Sequence, residues 1–189
     1  TRATECGFTH AVQMDADGQH DVEAVPELLR VSHSEPEALV LGAPRFDGSA
    51  PKLRRWARNL TTFWTRIEAG VAIVDPMCGF RLYPLGAVGQ VQTRADRMDF
   101  DPEIIVRLAW LGTPIRYVVV GVRYGATQSQ RSKPSTTEIV PNEPSRFLPI
   151  RDNLLIAWMH TRLMFEKVFR WMFGVRTSRL GKPTAPDHE

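Results

Sequence analysis

Two carboxylates stand two residues apart at Asp15 and Asp17, directly after the short, partly alternating run Thr9-His10-Ala11-Val12-Gln13-Met14. The run reads as a β-strand, and Asp15-Ala16-Asp17-Gly18 as the loop that ends it. Beyond the strand the side chains are released from strict alternation, so both carboxylates can face one ligand. Paired hard oxygen donors at the carboxyl end of a strand in an α/β sheet suit Mg²⁺ or Mn²⁺. Such ions keep several waters and complete their shell with substrate phosphates. The same pair is also common in solvated turns. An EF-hand is excluded by spacing, because His20 and Pro26 stand where that loop needs Gly and Glu. A phosphoryl-aspartate role for Asp15 lacks the threonine expected soon after it.

The surrounding elements decide what such a loop can meet. A helix capped by Asp21 is expected over about 22–33, with Pro26 limiting where its first turn begins. Ala38-Leu39-Val40-Leu41-Gly42 reads as a buried strand, and Pro51 opens a helix that Gly70 ends. In that helix Leu53, Trp56, Leu60, Phe63, Trp64 and Ile67 recur at spacings of three and four, which predicts that they form its buried face. Lys52, Arg54, Arg55, Arg58 and Arg66 then lie mainly on the other side. A strand is expected at Cys78-Gly79-Phe80-Arg81-Leu82-Tyr83, a helix from Asp101-Pro102-Glu103 to Gly112, and a strand over about 115–124. Asp101 can serve as the N-cap of its helix ahead of Pro102. Strands alternating with helices predict an α/β fold with a mostly parallel sheet flanked by helices. Residues 125–148 lack any period and are rich in Ser, Thr and Pro, which predicts a long loop.

In 189 residues the chain carries 24 Lys and Arg against 21 Asp and Glu, a net charge of +3. The hydrophobic fraction of 43% and charged fraction of 24% exclude disordered and collagen-like classes. Charge is unevenly placed. Residues 1–144 hold 16 basic and 17 acidic side chains, whereas 145–182 hold eight basic side chains against Asp152 and Glu166. A +6 segment on a near-neutral body points to an anionic partner. Cys6 and Cys78 stand alone, so neither a metal knuckle nor a disulfide framework is indicated, and a reducing cytoplasm fits. No signal-peptide pattern precedes Phe8, and a chain that opens on Thr1 is expected to be part of a larger one.

Residues 149–175 are expected to form an amphipathic basic helix, and 176–189 a disordered tail. On a helical wheel Leu154, Trp158, Met164, Phe165, Val168, Phe169, Trp171 and Met172 share one wide side. Asp152, Asn153, His160, Glu166, Lys167 and Arg170 gather on the other. Interruption by Arg162, Glu166, Lys167 and Arg170 excludes a membrane span, while aromatics with basic residues suit a helix lying in a lipid headgroup layer. A helix packed on its own domain has the same pattern.

Four motifs in order, Val12-Gln13-Met14-Asp15-Ala16-Asp17-Gly18-Gln19, Gly42-Ala43-Pro44-Arg45-Phe46, Asp75-Pro76-Met77-Cys78-Gly79-Phe80-Arg81 and Met98-Asp99-Phe100-Asp101-Pro102-Glu103, resemble the family 2 glycosyltransferases. The likeness is greatest to the polyprenyl-phosphate and dolichyl-phosphate mannosyltransferase branch and covers about residues 8–124. It implies part of a GT-A (Rossmann-like) catalytic domain over 1–148. The strand-helix-strand unit that grips the nucleotide base in the family is missing upstream. The resemblance implies an inverting transfer from a nucleotide-diphospho-sugar, with Asp15 and Asp17 holding Mg²⁺ or Mn²⁺ and Gln19 assisting at the donor. Asp101 then serves as general base, or as a positioning group if the acceptor is a phosphate, with Glu103 in reserve. Asp75 and Arg81 line the acceptor side, although Arg81 equally suits an edge-strand surface. The basic segment that clamps the donor diphosphate is represented by Arg131, Lys133 and Arg151, with Arg146 nearby. The expected acceptor is a lipid-linked or polyprenyl-phosphate molecule, met by a protein peripheral on the inner face of the cell membrane. A different class stays open: a non-catalytic α/β module whose basic tail binds an anionic membrane surface or nucleic acid. Against nucleic acid, the basic residues form no known binding motif.

Overall fold

Alternating apolar residues in Leu39-Val40-Leu41 set the two-faced character of the sheet. Leu39 and Leu41 pack on one side with Ile104, Ile105, Leu108 and Leu163, and Val40 packs on the other with Leu28, Phe80, Leu82 and Val118. The structure, a computed structural model, describes residues 2–15, 22–45, 52–121 and 149–174, without the side chains of residues 45, 52–55 and 149. In order come α1 (Arg2–Glu5), β1 (His10–Gln13), a 3-10 turn (Val22–Ala24), α2 (Val25–Ser34), β2 (Leu39–Arg45) and α3 (Lys52–Ala69). They are followed by β3 (Arg81–Pro84), α4 (Leu85–Val88), α5 (Phe100–Leu111), β4 (Ile115–Gly121) and α6 (Pro149–Met172). The proposed loop 125–148 and tail 176–189 lie outside the described residues, as does the Asp21 cap. Helix α2 starts at Val25, behind Ala24, with Pro26 in its first turn.

The described strands are ordered β1-β3-β2-β4. Only β2 and β4 run parallel; β3 is antiparallel to both β1 and β2. The α/β class holds, but the expectation of a mostly parallel sheet is corrected to a mixed one. The reason lies between α3 and β3: the segment 70–80 returns the chain along the sheet in the reverse sense, with no crossover helix after it. Helix α2 covers one face of the sheet, while α3, α5 and α6 lie on the other. Gly70 (φ 74°) and Gly112 (φ 107°) close α3 and α5 in the left-handed conformation, as predicted. At Gly112 the N–H of Thr113 returns to Leu108 O at 3.0 Å.

The expected strand over 78–83 is shorter, beginning at Arg81. Residues 78–80 instead pass close under β2, where Gly42 N donates to Phe80 O at 2.8 Å. A methyl group on Gly42 would stand 2.9 Å from that same oxygen, so the glycine permits the approach.

Helix α3 turns the opposite way from its predicted face, and α6 turns outward the wide apolar side that suits either lipid or its own domain. In α3 the buried side chains include Thr62, Thr65 and Glu68, whereas Trp56 is 63% exposed and Leu60 and Phe63 are exposed too. In α6 Asp152 and His160 face inward, and Leu154, Trp158, Phe165, Val168, Phe169, Trp171 and Met172 face out. The predicted buried face of α3 is therefore corrected. Polar pairing supplies the physical reason. Glu68 Oε2 meets His160 Nδ1 at 2.9 Å, and Asp152 Oδ1 accepts from Arg97 Nε at 3.0 Å. Arg162 and Arg107 both reach Glu103 at 2.7 Å. Buried charges are tolerated where each has a partner. Burial pushes the Glu68 carboxyl above its ordinary value, with the hydrogen bond and charge of His160 opposing.

Candidate active site

The chain's acidic motif sits where β1 ends. Gln13, the last residue of β1, is paired in register with Arg81, and Ala11 with Tyr83. Side chains two apart on a strand share a face, so Gln13, Arg81 and Tyr83 lie together on the face that α5 covers. Asp101, in the first turn of α5, comes down onto them. Its helix begins at Phe100 with Asp99 in the cap position, so Asp101 is a first-turn carboxylate and not the cap. That position is favourable for a negative charge at a helix N-terminus.

Arg81 is fully buried, which removes the reading of it as a surface residue of an edge strand. Its Nε donates to Cys78 O at 2.7 Å and its Nη2 to Pro76 O at 2.7 Å. Its Nη1 meets Tyr83 Oη at 3.1 Å, Asp101 O at 3.2 Å and Asp101 Oδ1 at 3.0 Å. One guanidinium thus ties the 76–78 segment to the start of α5. A second donor reaches Asp101 Oδ1 from Gln13 Nε2 at 3.2 Å. Both contacts fall on Oδ1, and the Asp101 side chain remains 19% exposed. Burial pushes its carboxyl above the ordinary value, the Arg81 charge and the Gln13 amide oppose this, and the negative charges of Asp15 and Asp75 add to the rise.

Asp15 is exposed and lies directly over Gly79, where a methyl group would overlap its carboxylate. The glycine of the Cys-Gly-Phe-Arg motif therefore makes room for the first acidic residue of the Asp-x-Asp motif. Asp75 is buried; its Oδ1 accepts from Met77 N at 2.9 Å and its Oδ2 stands 3.5 Å from Arg58 Nε on α3. The sequence-predicted residues Asp15, Asp75, Arg81 and Asp101 are thus one neighbourhood.

Others fall outside it. Glu103 is fully buried in the same helix; it accepts from Arg94 N at 3.1 Å and Ala95 N at 2.9 Å and is paired with Arg107 and Arg162. Arg151 is exposed in the first turn of α6. Asp17, Gln19, Arg131 and Lys133 lie outside the described residues. Cys78 is buried, and burial pushes its thiol up to about 11, which suits a packing residue and not a nucleophile. Sequence reasoning gave no role to Gln13 or Tyr83. The signal was present: each sits two residues from a named site residue, Gln13 from Asp15 and Tyr83 from Arg81.

Among the described residues no three His, Cys, Asp or Glu side chains converge as a ready-made metal cage. Asp15, exposed over the glycine cradle, carries carboxylate oxygens of the type that suits a hard divalent cation completed by water and phosphate. A concavity of about 790 Å³ runs between α3 and α6, lined by Trp56, Leu60, Trp64, Ile156, His160 and Phe165 among others. Among the described residues no helix is long and apolar enough to cross a membrane.

Fold and site together define an α/β chain with an acidic cluster at a strand's carboxyl end and an apolar groove between two of its helices. Among characterised proteins, the undecaprenyl-phosphate mannosyltransferase of Micrococcus luteus is 30% identical to it over 141 residues. That match takes in 69% of this chain and 55% of the relative, so the chain spans about half the length of the protein it resembles. The likeness supports a relationship to the family 2 glycosyltransferases. No protein-family model matches the chain, and no solved structure does.

Proposed function

We propose that this chain forms the acceptor-side part of a metal-dependent, inverting glycosyltransferase that moves a sugar from a nucleotide-diphospho-sugar to a polyprenyl-phosphate or other lipid-linked acceptor. The observation that carries the reading is the junction of Asp15 with Asp101: the exposed carboxylate at the end of β1, over Gly79, next to a carboxylate clamped on one oxygen by Arg81 and Gln13. The relative, by its name, transfers mannose to undecaprenyl phosphate.

Asp15 and Asp17 would hold Mg²⁺ or Mn²⁺, which when bound offsets the charge growing on the departing nucleoside diphosphate. Gln19, Arg131 and Lys133 are assigned to the donor diphosphate, with Arg151 as a further basic candidate. The acceptor oxygen attacks the anomeric carbon from the side opposite the diphosphate. The new carbon–oxygen bond forms as the bond to diphosphate breaks, inverting the centre. Asp101 uses Oδ2, which has no partner among the described residues. It takes the proton of a hydroxyl acceptor, or orients a phosphate acceptor that has no proton to lose. Asp75 and Arg81 act on the acceptor side by holding the 75–81 segment in place, and Glu103 fixes α5 beneath Asp101.

The outward aromatic faces of α3 and α6 give the lipid reading its physical content. Trp56, Leu60 and Phe63 on α3, with Trp158, Phe165 and Phe169 on α6, form an exposed apolar surface flanking the groove. Soluble domains seldom leave so much apolar area in water, and aromatic side chains suit a membrane interface. The groove has the volume and apolar lining to receive a prenyl chain, and the protein sits on the cytoplasmic face of the membrane. Replacing Asp15 and Asp17 with Asn in the protein that carries this chain is expected to cut Mg²⁺- or Mn²⁺-supported transfer by about 100-fold or more. Transfer at wild-type rate in that variant contradicts the metal assignment.

A further inference from the structure

Four side chains, Asp101 with Arg81, Tyr83 and Gln13, close a hydrogen-bonded ring, and Tyr83 has no part in the reaction as described above. Arg81 has only donors, so Tyr83 Oη must accept from it at 3.1 Å and direct its single proton to Gln13 Oε1 at 2.9 Å. An amide whose oxygen is engaged in this way turns its Nε2 toward Asp101 Oδ1, 3.2 Å off. With the amide reversed, two acceptors would face each other at Asp101 and two donors at Tyr83. Three corners of the ring are fixed independently. Arg81 is anchored on Cys78 O and Pro76 O, Tyr83 is buried, and Asp101 is held by its helix and by Arg81. Only the Gln13 amide has a choice of two orientations.

We propose that Tyr83 is a positioning residue for Asp101: its hydroxyl, oriented by Arg81, holds the Gln13 amide by its oxygen so that Nε2 stays clamped on Oδ1 and Oδ2 is left to the acceptor. The inference rests on the reading of Asp101 as the acceptor-facing carboxylate. It extends that reading to a residue acting through a neighbour, without touching substrate.

The direct test is the ¹H–¹⁵N spectrum of the chain, in which the Gln13 side-chain NH₂ pair is assigned by its disappearance in Gln13→Leu. In Tyr83→Phe the pair is expected to shift and broaden as the amide loses the partner on its oxygen and is held at one end only. An unchanged pair overturns the proposal. The kinetic test follows in the transferase. Tyr83→Phe should lower kcat about tenfold, the worth of roughly one hydrogen bond, with the donor KM within about twofold. The double variant Tyr83→Phe/Gln13→Leu should be no slower than Gln13→Leu alone, because Tyr83 acts through Gln13. Additive losses overturn the proposal even if the spectrum changes. Wild-type transfer by Asp101→Asn would instead remove the reading of Asp101, while the spectrum still decides whether Tyr83 controls the amide.

Discussion

Glu103 and Asp101, two residues apart in one helical turn, show how burial and partners separate two carboxylates. Burial alone would raise the Glu103 carboxyl. The hydrogen bond from Arg107, the backbone N–H of Ala95 and the charges of Arg107 and Arg162 outweigh it, so the carboxyl lies below its ordinary value. A carboxyl depressed on folding contributes stability above its unfolded value near 4.5, and that stability is lost as pH falls through the lower folded value. Urea unfolding at pH 7 and at pH 4 should therefore show a larger acid loss for wild type than for Glu103→Gln. Equal losses contradict the assignment. At pH 7, Glu103→Ala is expected to cost about 3 kcal/mol, since it leaves Arg107 and Arg162 short of a buried partner. Gly79 makes a complementary prediction. Gly79→Ala should displace the Asp15 carboxylate and weaken Mn²⁺ binding, measured by titration calorimetry, about tenfold or more. Its thermal midpoint should move by only a few degrees, since Asp15 is an exposed side chain that can turn away.

Helices α3 and α6 were legible as helices in their periodicity, down to the Gly70 stop, but not in which face they bury. Hydrophobic spacing states that a helix has an apolar side; it does not say that water is excluded by its own domain. Here Glu68 with His160, Asp152 with Arg97, and Arg107 with Glu166 give the polar sides specific partners, and the aromatic sides are left outward. Such pairings link residues tens of positions apart and cannot be read from a local window. The same holds for the site. Asp15, Asp75, Arg81 and Asp101 were visible as motifs, whereas the Gln13 and Tyr83 bridge depends on strand register. An outward aromatic face makes a prediction of its own. Trp158→Glu with Phe165→Glu should reduce flotation with anionic vesicles by at least about fivefold, consistent with the loss of two partitioning aromatics. The same variant should unfold at the wild-type temperature, because both side chains are already exposed in water. A matching loss of stability would show that these residues support the fold and not a membrane contact.

At the scale of the molecule, a mixed sheet with one parallel pair, β2 with β4, presents the ends of β1 and α5 on the side where 75–80 returns. The α/β class was evident from alternating elements, but strand direction was not, because residues 70–77 gave no helical or strand signal to count. The +3 chain is better understood as a near-neutral body whose basic helix packs through Asp152, Ile156, Met159, His160 and Leu163 and shows its aromatics outward. A vesicle-binding protein without transfer activity would fit the non-catalytic module instead. The decisive measurement is transfer of radiolabelled mannose from nucleoside diphosphate mannoses to undecaprenyl phosphate, by the protein that carries this chain and by its Asp101→Asn variant. Label in the lipid fraction, reduced about 100-fold or more by the substitution, is the predicted result. Transfer unaffected by Asp101→Asn, or no transfer from any nucleotide sugar with Mg²⁺ or Mn²⁺ present, would contradict it.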